Sequence, residues 1–148
     1  MSSQAMLEPT AQRVARLALI HAGEVTLKLR FVKDTIAGID ETTSRADLLA
    51  NECDSTDYAA GGYAITYTTG GLTASRVAYN YSAALGFVVV TAAPPNTIIG
   101  AWIDDGANAL QRVEFAQPVA LDTVGKQMIG QVYDGYPPGV VGIDVDLP

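Results

Sequence analysis

A period-two alternation of apolar and polar residues begins near Glu24, recurs toward the C-terminus and limits the folds open to this chain. Apolar residues at positions 25, 27, 29 and 31 alternate with polar ones, which is the spacing of a strand with one wet face. Further strand-like runs follow at intervals of about 10 residues, separated by turn residues. The pattern predicts an all-β fold, a jelly-roll-like antiparallel β-sandwich.

The chain before this first strand has a different periodicity. Apolar residues recur at helical spacing over 10–22, and Gly23 follows at a natural helix stop. The run 17–20 also fits a strand. We therefore expect an N-terminal arm or short helix over 1–23, followed by a β-sandwich domain over 24–148.

Several local signals predict individual elements inside the sandwich domain. Ser44 is placed to cap a helical turn over 45–51, and the Gly70-Gly71 pair favours a tight reversal. The apolar run 87–90 is typical of a strand buried on both faces. Residues 97–104 and 109–116 flank a polar turn and predict a hairpin, with Trp102 near its core.

Composition excludes several classes of protein. The formal net charge is -7, so the basic surface that nucleic acid requires is missing. No run approaches the roughly 18 apolar residues of a membrane span. The single Cys53 offers neither an internal disulfide nor a zinc site, which favours a reducing cytoplasm. With 49% hydrophobic and 17% charged residues, the chain is expected to have apolar surface for subunit contacts.

Residues equipped for catalysis are scarce. His21 is the single histidine, and no nucleophile motif or phosphate-binding glycine loop accompanies it. A packing or helix-capping role suits it better than general acid/base work. We predict no catalytic residues, no cofactor and no enzymatic activity.

Carboxylates and tyrosines leave two alternatives open. Asp144 and Asp146 share one strand face, and with a third oxygen donor they would hold Ca²⁺. The adjacent Asp104 and Asp105 form a second pair. Solubilising acids are the default reading, so we predict no metal site. The seven tyrosines fit either sugar binding or, as we favour, core and subunit-interface positions.

Three segments occur in an order that resembles a group of small tailed-phage virion proteins. They read VTLKLRFVKD, GGYAITYT and NTIIGAWIDDGANALQRVEFAQPVALDTVGKQMIGQV, within a resemblance that covers about 14–132. Members of that group are β-sandwich structural components, such as capsid decoration (cement) proteins or tail-associated proteins. The chain departs from the group by a longer segment over 36–56 and by Pro137-Pro138. By position, the resemblance implies four fold-bearing, non-catalytic residues, namely Trp102, Arg112, Phe115 and Pro118.

The leading hypothesis from these observations is a capsid decoration protein. It would assemble in the host cytoplasm, become part of the virion, form a homotrimer and clamp neighbouring subunits of the major capsid protein. The candidate partner interface lies in the N-terminal segment, at Met6, Leu7, Val14 and Leu17. The alternative is a carbohydrate- or receptor-binding module of a tail or baseplate that uses tyrosines on one sheet face.

Overall fold

The computed structural model of the chain describes residues 4–6, 26–65, 67–72, 78–82, 85–136 and 141–146, with side chains over 26–65 and 85–129. Within these ranges the chain forms ten strands and one short helix. In chain order they are β1 (Gln4–Met6), β2 (Leu27–Lys33), α1 (Arg45–Ala50), β3 (Tyr63–Ile65), β4 (Tyr67–Leu72), β5 (Ala78–Ser82), β6 (Leu85–Val88), β7 (Asn96–Asp104), β8 (Ala109–Leu121), β9 (Gln127–Tyr136) and β10 (Val141–Asp146).

The strands form two antiparallel sheets. Sheet A has the order β1-β8-β7-β2-β3, and sheet B has the order β10-β9-β5-β4, with β6 also paired to β9. Every strand pairing within the described ranges is antiparallel. The prediction of an all-β, antiparallel fold is confirmed.

One hydrophobic cluster takes residues from both sheets. Phe31 and Val113 come from sheet A, whereas Phe87 and Met128 come from sheet B, and all four are buried. The rings of Phe31 and Phe87 meet edge to face with centroids 6.3 Å apart, an arrangement that aromatic pairs prefer. The alternation in β2 therefore directs its apolar residues into a core that sheet B also lines.

The opposite face of sheet A is covered by residues 34–54, which we call the strap. Ile39 and Leu48 of the strap form a second buried cluster with Val32, Ile99 and Trp102 of sheet A. Helix α1 lies in the strap. The predicted helix start is confirmed, because the Ser44 side chain accepts a hydrogen bond from the Asp47 amide at 3.1 Å. Sheet A is thus covered on both faces.

The predicted hairpin corresponds to β7 and β8. In its turn, an Asp105 carboxylate oxygen accepts hydrogen bonds from the amides of Ala107 at 2.8 Å and Asn108 at 2.6 Å. Strand β8 extends beyond the predicted end at 116 as far as Leu121. Between the pairs Ile98–Val119 and Gly100–Glu114 the register shifts, so residues 115–118 lie opposite Ile99 alone and form a bulge.

Two local predictions are wrong. Gly70 and Gly71 do not form a reversal; they lie inside β4, beside a register shift between Thr69 and Leu72. Glycine in a strand interior is typical of such bulges. The run 87–90 is not buried on both faces, because Val88 is 44% exposed and Val90 is 65% exposed. Phe87 and Val89 face the core that both sheets share, whereas Val88 and Val90 reach solvent.

The beginning of the chain contributes to sheet A. Residues Gln4–Met6 pair with 112–114 of β8 in an antiparallel register. The helix predicted over 10–22 lies outside the described residues, as do positions 137–139 of the predicted proline loop. Strand β1 is therefore the described part of the predicted N-terminal arm.

Candidate functional site

Among the side chains that the structure describes, a group of four charges lies between the strap and sheet A. Arg30 donates from Nε to an Asp104 carboxylate oxygen at 3.0 Å and from Nη1 to Glu52 at 2.9 Å. Arg45 of α1 donates to the same Asp104 at 2.8 and 3.1 Å. The Arg30 guanidinium also lies 5.6 Å from the centroid of the Trp102 ring, within cation–π range.

Asp104 is the centre of this ionic network. Its side chain is 1% exposed. Burial alone would raise the pKa of Asp104, but hydrogen bonds from Arg45 and Gly106 and the charge of Arg30 outweigh burial, so the pKa lies below its ordinary value. The carboxylate is therefore ionised at neutral pH and neutralised by two arginines. Asp104 links the strap to the sheet, while its neighbour Asp105 caps the hairpin turn.

The network continues from Glu52 to the shared core. A Glu52 carboxylate oxygen accepts a hydrogen bond from the Tyr58 hydroxyl at 2.5 Å. Burial, together with the bond to Glu52, raises the pKa of Tyr58 above its ordinary value, so the phenol stays protonated. The Tyr58 ring packs against Phe31 and Phe87. One connected set of polar contacts therefore runs from α1 to the core.

A second link between strap and sheet uses Arg112. Its Nη1 donates to the carbonyl oxygens of Asp40 at 3.0 Å, Glu41 at 3.2 Å and also Thr43. Its Nη2 donates to the carbonyl of Ala109 at 2.9 Å. Burial lowers the pKa of Arg112 from its ordinary value, yet these acceptors favour the charged form. Arg112 holds the 40–43 turn against β8.

The four residues that the resemblance singles out occupy different environments. Trp102 and Phe115 are buried, but in different clusters, Trp102 under the strap and Phe115 in the core shared by both sheets. Arg112 is buried and hydrogen-bonded through both of its Nη atoms, whereas Pro118 is exposed in the β8 bulge. Trp102 of β7 and Arg112 of β8 lie directly opposite each other in the strand register. Phe115 and Pro118 lie apart from this pair.

Sequence reasoning did not identify Arg30, Arg45 and Glu52 as partners. A signal was present, since Arg30 falls on the polar face of the first predicted strand. Its partners lie 22 and 74 positions away along the chain. Strand register and the path of the strap bring them together, and neither can be read from local spacing.

The residues that the sequence analysis weighed for catalysis or metal binding lie in different parts of the chain. Cys53 is buried, and burial raises the pKa of its thiol to about 11, so the reactive thiolate is suppressed at neutral pH. His21 lies outside the described residues. Asp144 and Asp146 are opposite Gln131 and Ile129 in backbone register. No group of three or more potential metal ligands occurs among the residues that the structure describes.

Tyrosines divide between the core and sheet B. Tyr58 is buried, and Tyr63 is half-buried and stacks on Phe87 with centroids 6.5 Å apart, as the core prediction requires. The other five tyrosines belong to β4, β5 and β9 of sheet B. Exposed large apolar residues among those with described side chains are Val88, Val90 and Val124.

The predicted partner interface is partly described. The backbone of Met6 lies opposite Arg112, at the end of β1. Leu7, Val14 and Leu17 lie outside the described residues. The structure thus locates the attachment point of the N-terminal segment, at the edge of sheet A.

Comparison with known proteins gives no relative. The chain matches no family model, no curated protein and no solved structure. None of the helices that the structure describes has the length and the apolar character that a membrane-spanning helix needs.

Proposed function

We propose that this chain is a phage virion structural protein with a non-enzymatic role. In this proposal it is a capsid decoration protein that assembles in the host cytoplasm, forms a homotrimer and clamps neighbouring subunits of the major capsid protein. The order of sequence segments that resembles small tailed-phage virion proteins supports it. The proposal includes neither a cofactor nor a metal ion.

Within the all-β class, the fold that we propose is a jelly-roll-like β-sandwich. Two antiparallel sheets that share one hydrophobic cluster support it, because aligned sheets pack face to face in this way. The ionic network and Arg112 support a structural role as well, since their charged groups are hydrogen-bonded to other residues of the fold. The strap covers the face of sheet A that is directed away from the shared core. The edges of the sheets and sheet B therefore remain for contacts with partners.

The observation that carries the proposal is the way in which β1 joins sheet A. Strand β1 has three residues, while its partner β8 has thirteen. Residues 7–26 then separate β1 from β2, a length that allows β1 to reach a neighbouring copy. Exchange of an identical element between protomers is a low-cost route to association. We propose that β1 pairs with β8 of a neighbour in the trimer, with Met6, Leu7, Val14 and Leu17 at the interface.

A cross-chain disulfide tests this exchange. Gln4 lies directly opposite Glu114, and such partners have Cα atoms about 4.5 to 5.5 Å apart, within the range of a disulfide. A Gln4→Cys chain refolded together with a Glu114→Cys chain should form a disulfide-linked heterodimer. Asp122→Cys, at an exposed position outside the β1 register, serves as the matched control and should not crosslink with Gln4→Cys.

Deletion of residues 1–22 tests the role in the particle. The truncated chain should lose its trimeric mass in light scattering and its binding to particles that lack the protein. Particles should also lose heat stability when the protein is absent. If the truncated chain kept both its mass and its particle binding, the N-terminal interface would be wrong. If full-length protein bound no particle, the decoration role would be wrong.

A further inference from the structure

Sheet B has a face directed away from the shared core, and strand register defines which residues occupy it. Met128 of β9 is fully buried in the core, and β9 pairs with β5, β6 and β10 without a register shift. Residues alternate between faces along a strand. Odd-numbered residues of β9 therefore lie on the face opposite Met128, which we call the outer face of sheet B.

Members of this face whose side chains are described are accessible to solvent. Val88 of β6 lies opposite Gln127 of β9 in register and is 44% exposed. Gln127 and Ile129 are half-buried, in contrast to Met128 between them. The outer face of sheet B thus reaches solvent at this end, whereas the corresponding face of sheet A is covered by the strap.

Three tyrosines occupy adjacent positions on the outer face. Tyr133 of β9 lies directly opposite Tyr81 of β5, and Tyr79 is two residues from Tyr81 along the same strand. Strand geometry places the Tyr81–Tyr133 neighbours about 5 Å apart across the sheet and Tyr79 about 7 Å along it. Tyr67 pairs with Ser82 and therefore falls on the other face, so the cluster is specific to these three positions.

Polar residues flank the tyrosines at neighbouring register positions. Thr68 of β4 lies opposite Tyr81. Gln131 is two residues from Tyr133 on β9, and Asp144 of β10 lies opposite Gln131. On the core face of β10, by contrast, the alternation places Val141, Ile143 and Val145. The outer face therefore combines aromatic residues with hydroxyl, amide and carboxylate groups across four strands.

We propose that Tyr79, Tyr81 and Tyr133 form a binding site for a neutral oligosaccharide. Aromatic rings offer an apolar surface for the C–H face of a sugar, while hydroxyl, amide and carboxylate groups bond its hydroxyls. Asp144 beside the cluster and the net charge of -7 disfavour sialic and uronic acids by like-charge repulsion. This site lies on sheet B, whereas the β1 exchange uses the edge of sheet A.

Binding to the full chain is measured with defined saccharides. Maltoheptaose, cellohexaose and mannohexaose are the neutral probes, and hexagalacturonate is the anionic control, in isothermal titration. At least one neutral probe should bind, and hexagalacturonate should not. Tyr81→Ala and Tyr133→Ala should each weaken binding about tenfold, equivalent to about 1.4 kcal/mol. Val124→Ala, an exposed change outside the cluster, should leave binding unchanged.

A measurement on the unaltered protein covers the case in which a tyrosine variant fails to fold. In saturation-transfer NMR, irradiation of aromatic protons should transfer saturation to the C–H protons of the bound saccharide. Absence of binding by every neutral probe would overturn the proposal. So would loss of self-association in Tyr81→Ala without any saccharide effect, which would make this face a protein interface. Neither outcome bears on particle binding, so the decoration role is tested separately.

Discussion

Replacing Asp104 by asparagine tests whether one buried carboxylate holds the strap on sheet A. The carboxylate accepts hydrogen bonds from Arg30 at 3.0 Å and from Arg45 at 2.8 and 3.1 Å. Asparagine keeps the size of the side chain but removes the negative charge. Two arginines then face a neutral group in a site where Asp104 itself is 1% exposed.

The expected loss of stability follows from the burial of the partners. Removing one member of a buried ion pair costs about 3 to 5 kcal/mol. Arg30 keeps its bond to Glu52, and the Arg45 side chain is 29% exposed, so water relieves part of the cost. We expect the free energy of unfolding to fall by about 3 kcal/mol, which lowers Tm by about 6 to 12 °C for a chain of this length.

Urea unfolding followed by tryptophan fluorescence measures this effect. Trp102 is the single tryptophan, and it is buried in the cluster that the strap covers. The control is Asp122→Asn, since the Asp122–Lys126 pair is exposed and should contribute less than about 1 kcal/mol. If Asp104→Asn shifted the unfolding free energy no more than Asp122→Asn does, the assignment of Asp104 as the link would be refuted.

Three further changes test other contacts. Ser44→Ala should cost about 1 kcal/mol, because α1 loses its N-cap, and urea midpoints would show it; an unchanged midpoint contradicts the cap. Arg112→Met should lower stability by about 2 kcal/mol and speed amide exchange over 40–43; unchanged exchange there would argue against Arg112 as the link. The amides of Thr91 and its neighbour lower the pKa of Asp57 below its usual 3.8, so its stabilisation is present above pH 3.8 and is lost as pH falls below that value. The stability gap between wild type and Asp57→Asn should narrow in urea titrations as the pH falls from 6 to 3, and a gap independent of pH would contradict it.

Three predictions that depend on neighbouring residues in the chain are confirmed. The β2 alternation, the Ser44 cap and the β7–β8 hairpin each depend on signals within about ten residues. Backbone conformation and capping are decided locally. The sequence therefore predicts element types well in these segments.

Predictions that depend on distant packing are less accurate. The apolar run 87–90 predicts a strand buried on both faces, yet Val88 and Val90 are exposed. The same apolar residues suit a buried strand or the margin of a sheet, and the choice depends on what packs against each face. Gly70 and Gly71 likewise permit either a reversal or a bulge.

The candidate sites also divide into features that local sequence predicts and features that depend on distant packing. Sequence alone determines that the chain is acidic, holds one histidine and alternates as a β protein does, because composition and short-range periodicity contain that information. Tertiary structure decides that Asp104 lies between two arginines and that Tyr81 lies opposite Tyr133. Those neighbours come from elements far apart in sequence, and a register shift of one residue would move every tyrosine of a strand to the other face.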